Sequence, residues 1–361
     1  MRPARHPVNL QKIQPKVSPL RIHVFIVDGT LSRLSTGQET NAGLFYKLLA
    51  GMPARRDLTL GYDPGIQAKG FWKWVNVAAG ADFNNAILAG YNQLSHRYRP
   101  GDKIVLLGFS RGAYAVRSIA GMIAKMSLLR PDVVTSKRVN NALKYYQEQT
   151  LSHQAAEFKE KFGHRQPVRI EMIGVWDTVK MLGLPYPLIN RLAPMATEFH
   201  DHELSSNIKN AFQALACDEN RVAFKAIPWT CQPAWQGRLE QAWFPGAHSD
   251  IGGHNLNMPQ ARPLSNIPLI WMLERAEECG LPLPGNWRDH FLMDAGAPAQ
   301  GCYSGLSRYF MTRKPRQFGP TQTDYLDPSV NLRRAQIIDY HPRVKGIPPA
   351  LLPNQKIIEK P

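Results

Sequence analysis

The most constraining feature of this chain is the pentapeptide Gly108-Phe109-Ser110-Arg111-Gly112, because of what lies on either side of it. Upstream, Lys103-Ile104-Val105-Leu106-Leu107-Gly108 is a near-continuous apolar run, the signature of a strand buried on both faces. Downstream, residues 113–129 read as a helix that is apolar along most of its face. Gly-x-Ser-x-Gly arises by chance in about one chain in ten of this length, so the flanks must carry the inference. A strand turning sharply into a helix through such a sequence strains the serine backbone and projects its Oγ above the sheet. Glycines two positions either side let the strand and helix approach. The helix N-terminus sets its N–H groups and partial positive charge beside the hydroxyl, which makes the Arg111 backbone N–H a natural oxyanion donor. On this reading Ser110 is a nucleophile. The competing reading is a glycine-tightened strand–helix turn with an incidental serine.

The rest of the chain supplies the sheet such a turn needs. Apolar runs at 22–27, 104–108, 170–176 and 239–244 are expected as strands. Helices are expected over 83–98 (capped by Asp82), 113–129, 140–162, 204–216 and 267–279. Strands alternating with helices imply crossover connections and a mainly parallel central sheet with helices on both faces; with the serine turn at a strand end, the expected class is an α/β fold of the α/β-hydrolase type. From Cys302 onward Pro315, Pro320, Pro328, Pro342, Pro348, Pro349 and Pro353 break the pattern. The expected organisation is a basic N-terminal extension over 1–20, a catalytic domain over 21–300, and an irregular, Pro-rich C-terminal extension over 301–361 that packs on the core or is partly disordered.

A serine nucleophile needs a general base, and the base needs an orienting carboxylate. In α/β hydrolases these follow the serine in the order Asp or Glu, then His, at the carboxyl ends of later strands. Glu171-Met172-Ile173-Gly174-Val175-Trp176 delivers Asp177, and Leu239-Glu240-Gln241-Ala242-Trp243-Phe244 leads through Pro245-Gly246-Ala247 to His248. His254 is the nearest rival to His248 but lies beyond Gly252-Gly253; His200 and His202 sit in a polar segment and are expected to be solvated. Asp250 is the rival to Asp177 and is expected instead to brace the loop through backbone amides.

Asp28-Gly29-Thr30 after the first strand resembles half of the Asp-x-Asp-Gly-Thr signature of aspartate-nucleophile phosphatases, but Ile26 stands where the nucleophilic aspartate would be. Backbone N–H groups at Gly29 and Thr30 are therefore expected to form the second arm of an oxyanion hole, with Asp28 bracing the turn. An Asx-type turn that merely closes the strand fits the same residues.

Composition narrows the context. With 44 Lys+Arg against 28 Asp+Glu the chain carries a formal charge of +16, which favours polyanionic partners such as an anionic membrane. No nucleic-acid recognition motif accompanies that charge, so specific nucleic-acid binding is not expected. Cys217, Cys231, Cys279 and Cys302 are scattered without a CxxC pair, so reduced thiols are expected and neither a zinc site nor another metal or cofactor is implied. The first 19 residues lack the apolar core of a signal peptide, and no run of about 18 apolar residues is present, so a soluble chain made in the cytoplasm is expected.

Taken in order, Asp28-Gly29-Thr30, Gly108 to Tyr114, Gly174-Val175-Trp176-Asp177-Thr178-Val179, Ala214 to Arg221 and Phe244 to Gly253 resemble the catalytic domain of the bacterial type VI secretion phospholipase effectors, within a broader family of uncharacterised α/β hydrolases. The resemblance covers residues 22–283. It implies Ser110, Asp177 and His248 as a catalytic triad, an acyl-ester or phospholipid substrate, and export by a type VI secretion system if the chain is an effector. There are departures: Leu31-Ser32 replaces a common Trp-Asn, His254 replaces a common third glycine, and the membrane-contacting insertions of larger effectors are largely missing. An apolar entrance for lipid is expected at Met181 to Ile189 and an interfacial segment at Phe71 to Val75, though ordinary packing accounts for both. A soluble intracellular carboxylesterase and a non-enzymatic binding module on a hydrolase fold are the alternatives.

Overall fold

A computed structural model describes residues 20–65, 81–179, 203–255, 258–303, 310–319 and 323–352. The segments around Phe71 to Val75 and Met181 to Ile189, together with His200 and His202, lie outside these residues.

Besides a short parallel pair of Glu203–Leu204 with Thr230–Cys231, the described strands are β1 (Ile22–Val27), β2 (Leu58–Asp63), β3 (Lys103–Phe109), β4 (Met172–Trp176), β5 (Asn210–Ala216), β6 (Arg238–Phe244) and β7 (Asp324–Leu326). These seven form the main sheet in the order β2-β1-β3-β4-β5-β6-β7, every pairing parallel. The apolar runs follow from this arrangement, because alternate residues of a parallel strand face opposite buried layers. In β3, Ile104 and Leu106 pack under α2 (Ala81–Arg97), α3 (Arg111–Met126), α4 (Ser136–Gln147) and α5 (Ser152–Phe162). Val105, Leu107 and Phe109 face the other layer, with α1 (Asn41–Ala50) and α7 (Arg262–Glu278). A short helix, α6 (His248–Gly252), follows β6.

Chain order positions the site. From β1 the chain steps outward to β2, then returns to β3 on the other side of β1 and proceeds through β4, β5 and β6. Connections from β1 and β3 thus leave in opposite directions, and a crevice opens above their carboxyl ends. Asp28 follows β1 and Ser110 follows β3, both at that crevice.

Four expectations are corrected. Residues 210–216 form β5 rather than part of a helix: Ala-, Leu- and Gln-rich sequence favours helix in isolation, but pairing between β4 and β6 satisfies its backbone and overrides the preference. The expected helix over 140–162 is two, α4 and α5, separated by an extended Glu148 and a 3-10 turn at Gln149–Leu151. The edge strand β2, interrupted by a glycine, has no counterpart among the expected strands. Helix α2 already includes Ala81, so Asp82 lies inside it rather than at its cap.

The Pro-rich C-terminal region adds β7 to the sheet edge and α8 (Pro328–Gln336), whose N-cap Asp327 accepts from Ser329 N. Phe318, Val330 and Val344 pack with Leu215, Cys217 and Trp243 in a third apolar cluster. Its regular elements are local. Asp327 caps a helix that Pro328 starts at the position where proline lacks no needed donor.

Candidate active site

Ser110 has φ 59° and ψ −119°, a backbone state that costs a non-glycine residue about 1–3 kcal/mol. The fold around it leaves no slack. A Cβ on Gly108 would stand 2.6 Å from the Gly112 carbonyl oxygen, and one on Gly112 would stand 2.2 Å from that of Val27. The two glycines thus let β1, β3 and the start of α3 meet. Ser110 N donates to Trp176 O at 3.0 Å, tying the turn to the end of β4.

The next residue along β4 is Asp177, buried, with φ 44° and its amide donating to Ala214 O at 2.8 Å. Beyond β6, Gly246 at φ 109° turns the chain into α6, whose first residue is His248. The structure brings these three residues together. His248 Nδ1 lies 2.5 Å from Asp177 Oδ2, and Nε2 lies 2.8 Å from Ser110 Oγ. An ionised carboxylate only accepts, so Nδ1 carries the proton and Nε2 is left to accept from the serine hydroxyl. All three side chains are buried. Burial alone would raise the Asp177 carboxyl, but the Arg316 guanidinium and the His248 hydrogen bond outweigh it and hold the group well below the ordinary carboxylate range.

The histidine ring is held by aromatic contacts. Phe109 stacks on it with centroids 5.0 Å apart, and Phe224 packs edge-on at 4.9 Å. Asp250 accepts from Ala247 N at 2.8 Å, Gln300 N at 2.7 Å and Gly301 N at 3.1 Å, so it ties the histidine loop to the C-terminal region. His254 does not reach Ser110: its amide bonds Ser249 O, and burial, with His248 and Arg33 nearby, pushes its pKa down to about 4.

Asp28 is fully buried and accepts from Gly29 N at 2.6 Å, Ser32 Oγ at 2.9 Å, Thr40 Oγ1 at 2.7 Å and Tyr62 OH at 2.6 Å. Burial raises its carboxyl despite these four donors. One of the bonds corrects the sequence reading. The Gly29 N–H, expected as an oxyanion donor, is engaged by the Asp28 carboxylate, which leaves Thr30 as the candidate on this side. Arg111 is the first residue of α3, directly after Ser110, at the positive end of the helix.

Three residues at the site carry no role readable from the sequence. Glu219 and Arg221 form a buried two-pronged pair at 2.8 and 2.6 Å, and Glu219 also accepts from His248 N at 3.3 Å. Both fall in the stretch Ala214 to Arg221, whose Asp-Glu-Asn-Arg cluster next to a strand end is the available signal. Burial would raise Glu219, but Arg221, and Arg316 behind it, hold it low. The third is Arg316, paired with Asp177 across 139 positions, for which no local signal exists.

A parallel sheet with this strand order, and an elbow at its switch point, is the α/β-hydrolase fold. Residues 21–275 match the family described as type VI secretion phospholipase effector Tle1-like, catalytic domain, and the chain belongs to that family. It is similar to a protein of Saccharomyces cerevisiae, YEL023C, at 28% identity over 235 residues, 58% of this chain and 33% of the yeast protein. Among solved structures it is similar to an uncharacterised protein from Pseudomonas aeruginosa, with a TM-score of 0.41 and 17% identity over 76% of this chain and 49% of that one. It is also similar to the Tle1 effector bound to the VgrG spike of the type VI secretion system, with a TM-score of 0.36 and 19% identity over 69% and 55% of the two chains. The chain thus spans a third of the yeast relative and about half of each of these structures.

Proposed function

We propose that this chain hydrolyses carboxylic esters of lipids, phospholipids among them, with Ser110 as nucleophile. The observation that carries the reading is the continuous chain Ser110 Oγ–His248–Asp177 at 2.8 and 2.5 Å, beginning at a strained serine above the sheet. His248 Nε2 takes the hydroxyl proton as Oγ attacks the acyl carbon, and Asp177 stabilises the imidazolium that forms. Backbone N–H groups of Arg111 and Thr30 stabilise the tetrahedral oxyanion. Collapse expels the alcohol, which receives the proton from His248. Water then attacks the acyl-enzyme by the same route and releases the fatty acid.

Family membership supports a phospholipid as the alcohol-bearing substrate, and the charge of +16 supports peripheral contact with anionic bilayers. No helix among the described residues is long and apolar enough to cross a membrane. Delivery by a type VI secretion system belongs to the same proposal. Wild type and Ser110→Ala are to be compared on phospholipid vesicles, on short soluble esters and with a fluorophosphonate probe. Wild type is expected to cleave phospholipid and take up the probe, and Ser110→Ala to lose several orders of magnitude in rate. Turnover of short esters alone would restrict the reading to a soluble carboxylesterase. Full activity of Ser110→Ala would overturn it, and an inert, unlabelled wild type would leave a binding module.

A further inference from the structure

The Pro-broken C-terminal region lies outside the residues that match the family, yet it sends a side chain into the site. Arg316 is buried, and its guanidinium grips Asp177 with two prongs, Nη1 to Oδ1 at 2.5 Å and Nη2 to Oδ2 at 2.9 Å. Ala216 N fills a further position on Oδ1 at 3.2 Å. A planar fork fits a carboxylate in one orientation, so Arg316 sets the rotation of the Asp177 carboxylate and the direction from which Oδ2 meets His248. The same guanidinium donates to Phe224 O at 2.6 Å and Ala216 O at 3.3 Å. Phe224 is the ring packed edge-on against His248.

The backbone that carries Arg316 is fixed on both sides. Val222 N donates to Thr312 O at 3.1 Å, Lys314 N to Asn220 O at 2.7 Å, and Lys345 N to Arg316 O at 2.9 Å. The guanidinium is therefore as firmly placed as the strand ends it joins.

We propose that Arg316 is a positioning residue for the His248–Asp177 pair, so that the C-terminal region completes the active site; the inference rests on the reading of Ser110, His248 and Asp177 as catalytic groups. Its charge has a second effect. A cation on Asp177 cancels part of the attraction that the carboxylate exerts on the imidazolium. Among the described residues, the other charged or titratable groups facing the pair are Glu219 on the His248 amide, Arg221 on Glu219, Cys217 beside Asp177 and His254 near His248. They stay when Arg316 is replaced. Without the guanidinium, more of the Asp177 charge is uncompensated, and the acidic limb of the kcat/KM profile moves to higher pH.

The test compares full-length wild type, Ser110→Ala, Arg316→Lys and Arg316→Gln on a short p-nitrophenyl ester from about pH 5 to about pH 9, with circular dichroism to verify folding. Arg316→Gln is expected to lower kcat by about tenfold or more, with KM little changed, and to move the acidic limb up by about one pH unit. Arg316→Lys keeps the charge but not the fork, so it is expected to lower kcat while moving the limb less. Wild-type kcat and limb in folded Arg316 variants, with Ser110→Ala inactive, would overturn the proposal and leave Arg316 a structural anchor. An active Ser110→Ala would instead overturn the catalytic reading on which the proposal rests. Should Arg316→Gln not fold because Asp177 is left buried without its partner, Arg316→Lys decides alone, and a wild-type profile from it overturns the proposal.

Discussion

The ring of Phe109 occupies the space where a side chain on Gly252 would begin: a Cβ built there stands 1.9 Å from the ring. Phe109 ends β3 just before Ser110, and Gly252 ends α6, which starts at His248. The contact therefore sets the distance between the turn that bears Ser110 and the helix that bears His248, and the same ring stacks on the imidazole. Gly252→Ala should force the two apart. It is expected to destabilise the fold by about 1–3 kcal/mol and to depress ester hydrolysis at temperatures where the protein is still folded. Thermal denaturation together with single-turnover kinetics checks this, and an unchanged Tm with full activity would contradict it.

Ser110 sits in a backbone state that glycine adopts freely. Alanine keeps the Cβ and hence the strain, whereas glycine removes it. Ser110→Gly should therefore be more stable than Ser110→Ala by about 1 kcal/mol, with both expected to be inactive. Urea unfolding of the two variants side by side measures the difference, and equal midpoints would argue against stored strain at the elbow.

Glu219 and Arg221 are a buried pair whose separation should be costly. Glu219→Gln removes the carboxylate facing a buried guanidinium and loosens the contact with the His248 amide. A loss of about 2–4 kcal/mol in unfolding free energy is expected, accompanied by slower labelling of Ser110 by a fluorophosphonate. Chemical denaturation and gel-based labelling report the two effects separately.

Asp218 offers a pH test with a definite sign. Burial raises its carboxyl to about 6, in spite of hydrogen bonds from Gly246 N, Arg343 N and Tyr340 OH. The folded protein thus holds this proton more tightly than the unfolded chain does. Its favourable contribution is complete below about pH 4 and is lost as pH rises through about 6. The amide introduced by Asp218→Asn cannot titrate, so wild type should lose stability relative to that variant between those values and keep a constant difference above them. Unfolding titrations of both proteins across that range decide it, and a pH-independent difference would refute the assignment.

Much of this architecture is legible locally. The apolar runs of β1, β3, β4 and β6 mark buried parallel strands, and glycines two positions either side of Ser110 mark a turn in which a Cβ would strike backbone. Asp177 and His248 can be selected because each directly follows or lies shortly after such a strand. The strand β5 reads as a helix because its Ala-, Leu- and Gln-rich run suits one, and only neighbours on both sides make it a strand. Gly29 reads as an oxyanion donor because the bond from its own amide to Asp28 is a matter of side-chain placement, not of residue type.

What the amino-acid sequence determined by itself is the elbow, the order of serine, aspartate and histidine, and the sheet class, since each rests on periodicity or on residues adjacent in the chain. Only the tertiary structure decided that Arg316 closes on Asp177, that Glu219 supports the histidine loop, and that Phe109 and Gly252 fix its distance from the elbow. Those contacts join positions far apart in the chain, and a charge or a ring in an irregular segment has no periodic neighbour to reveal its partner.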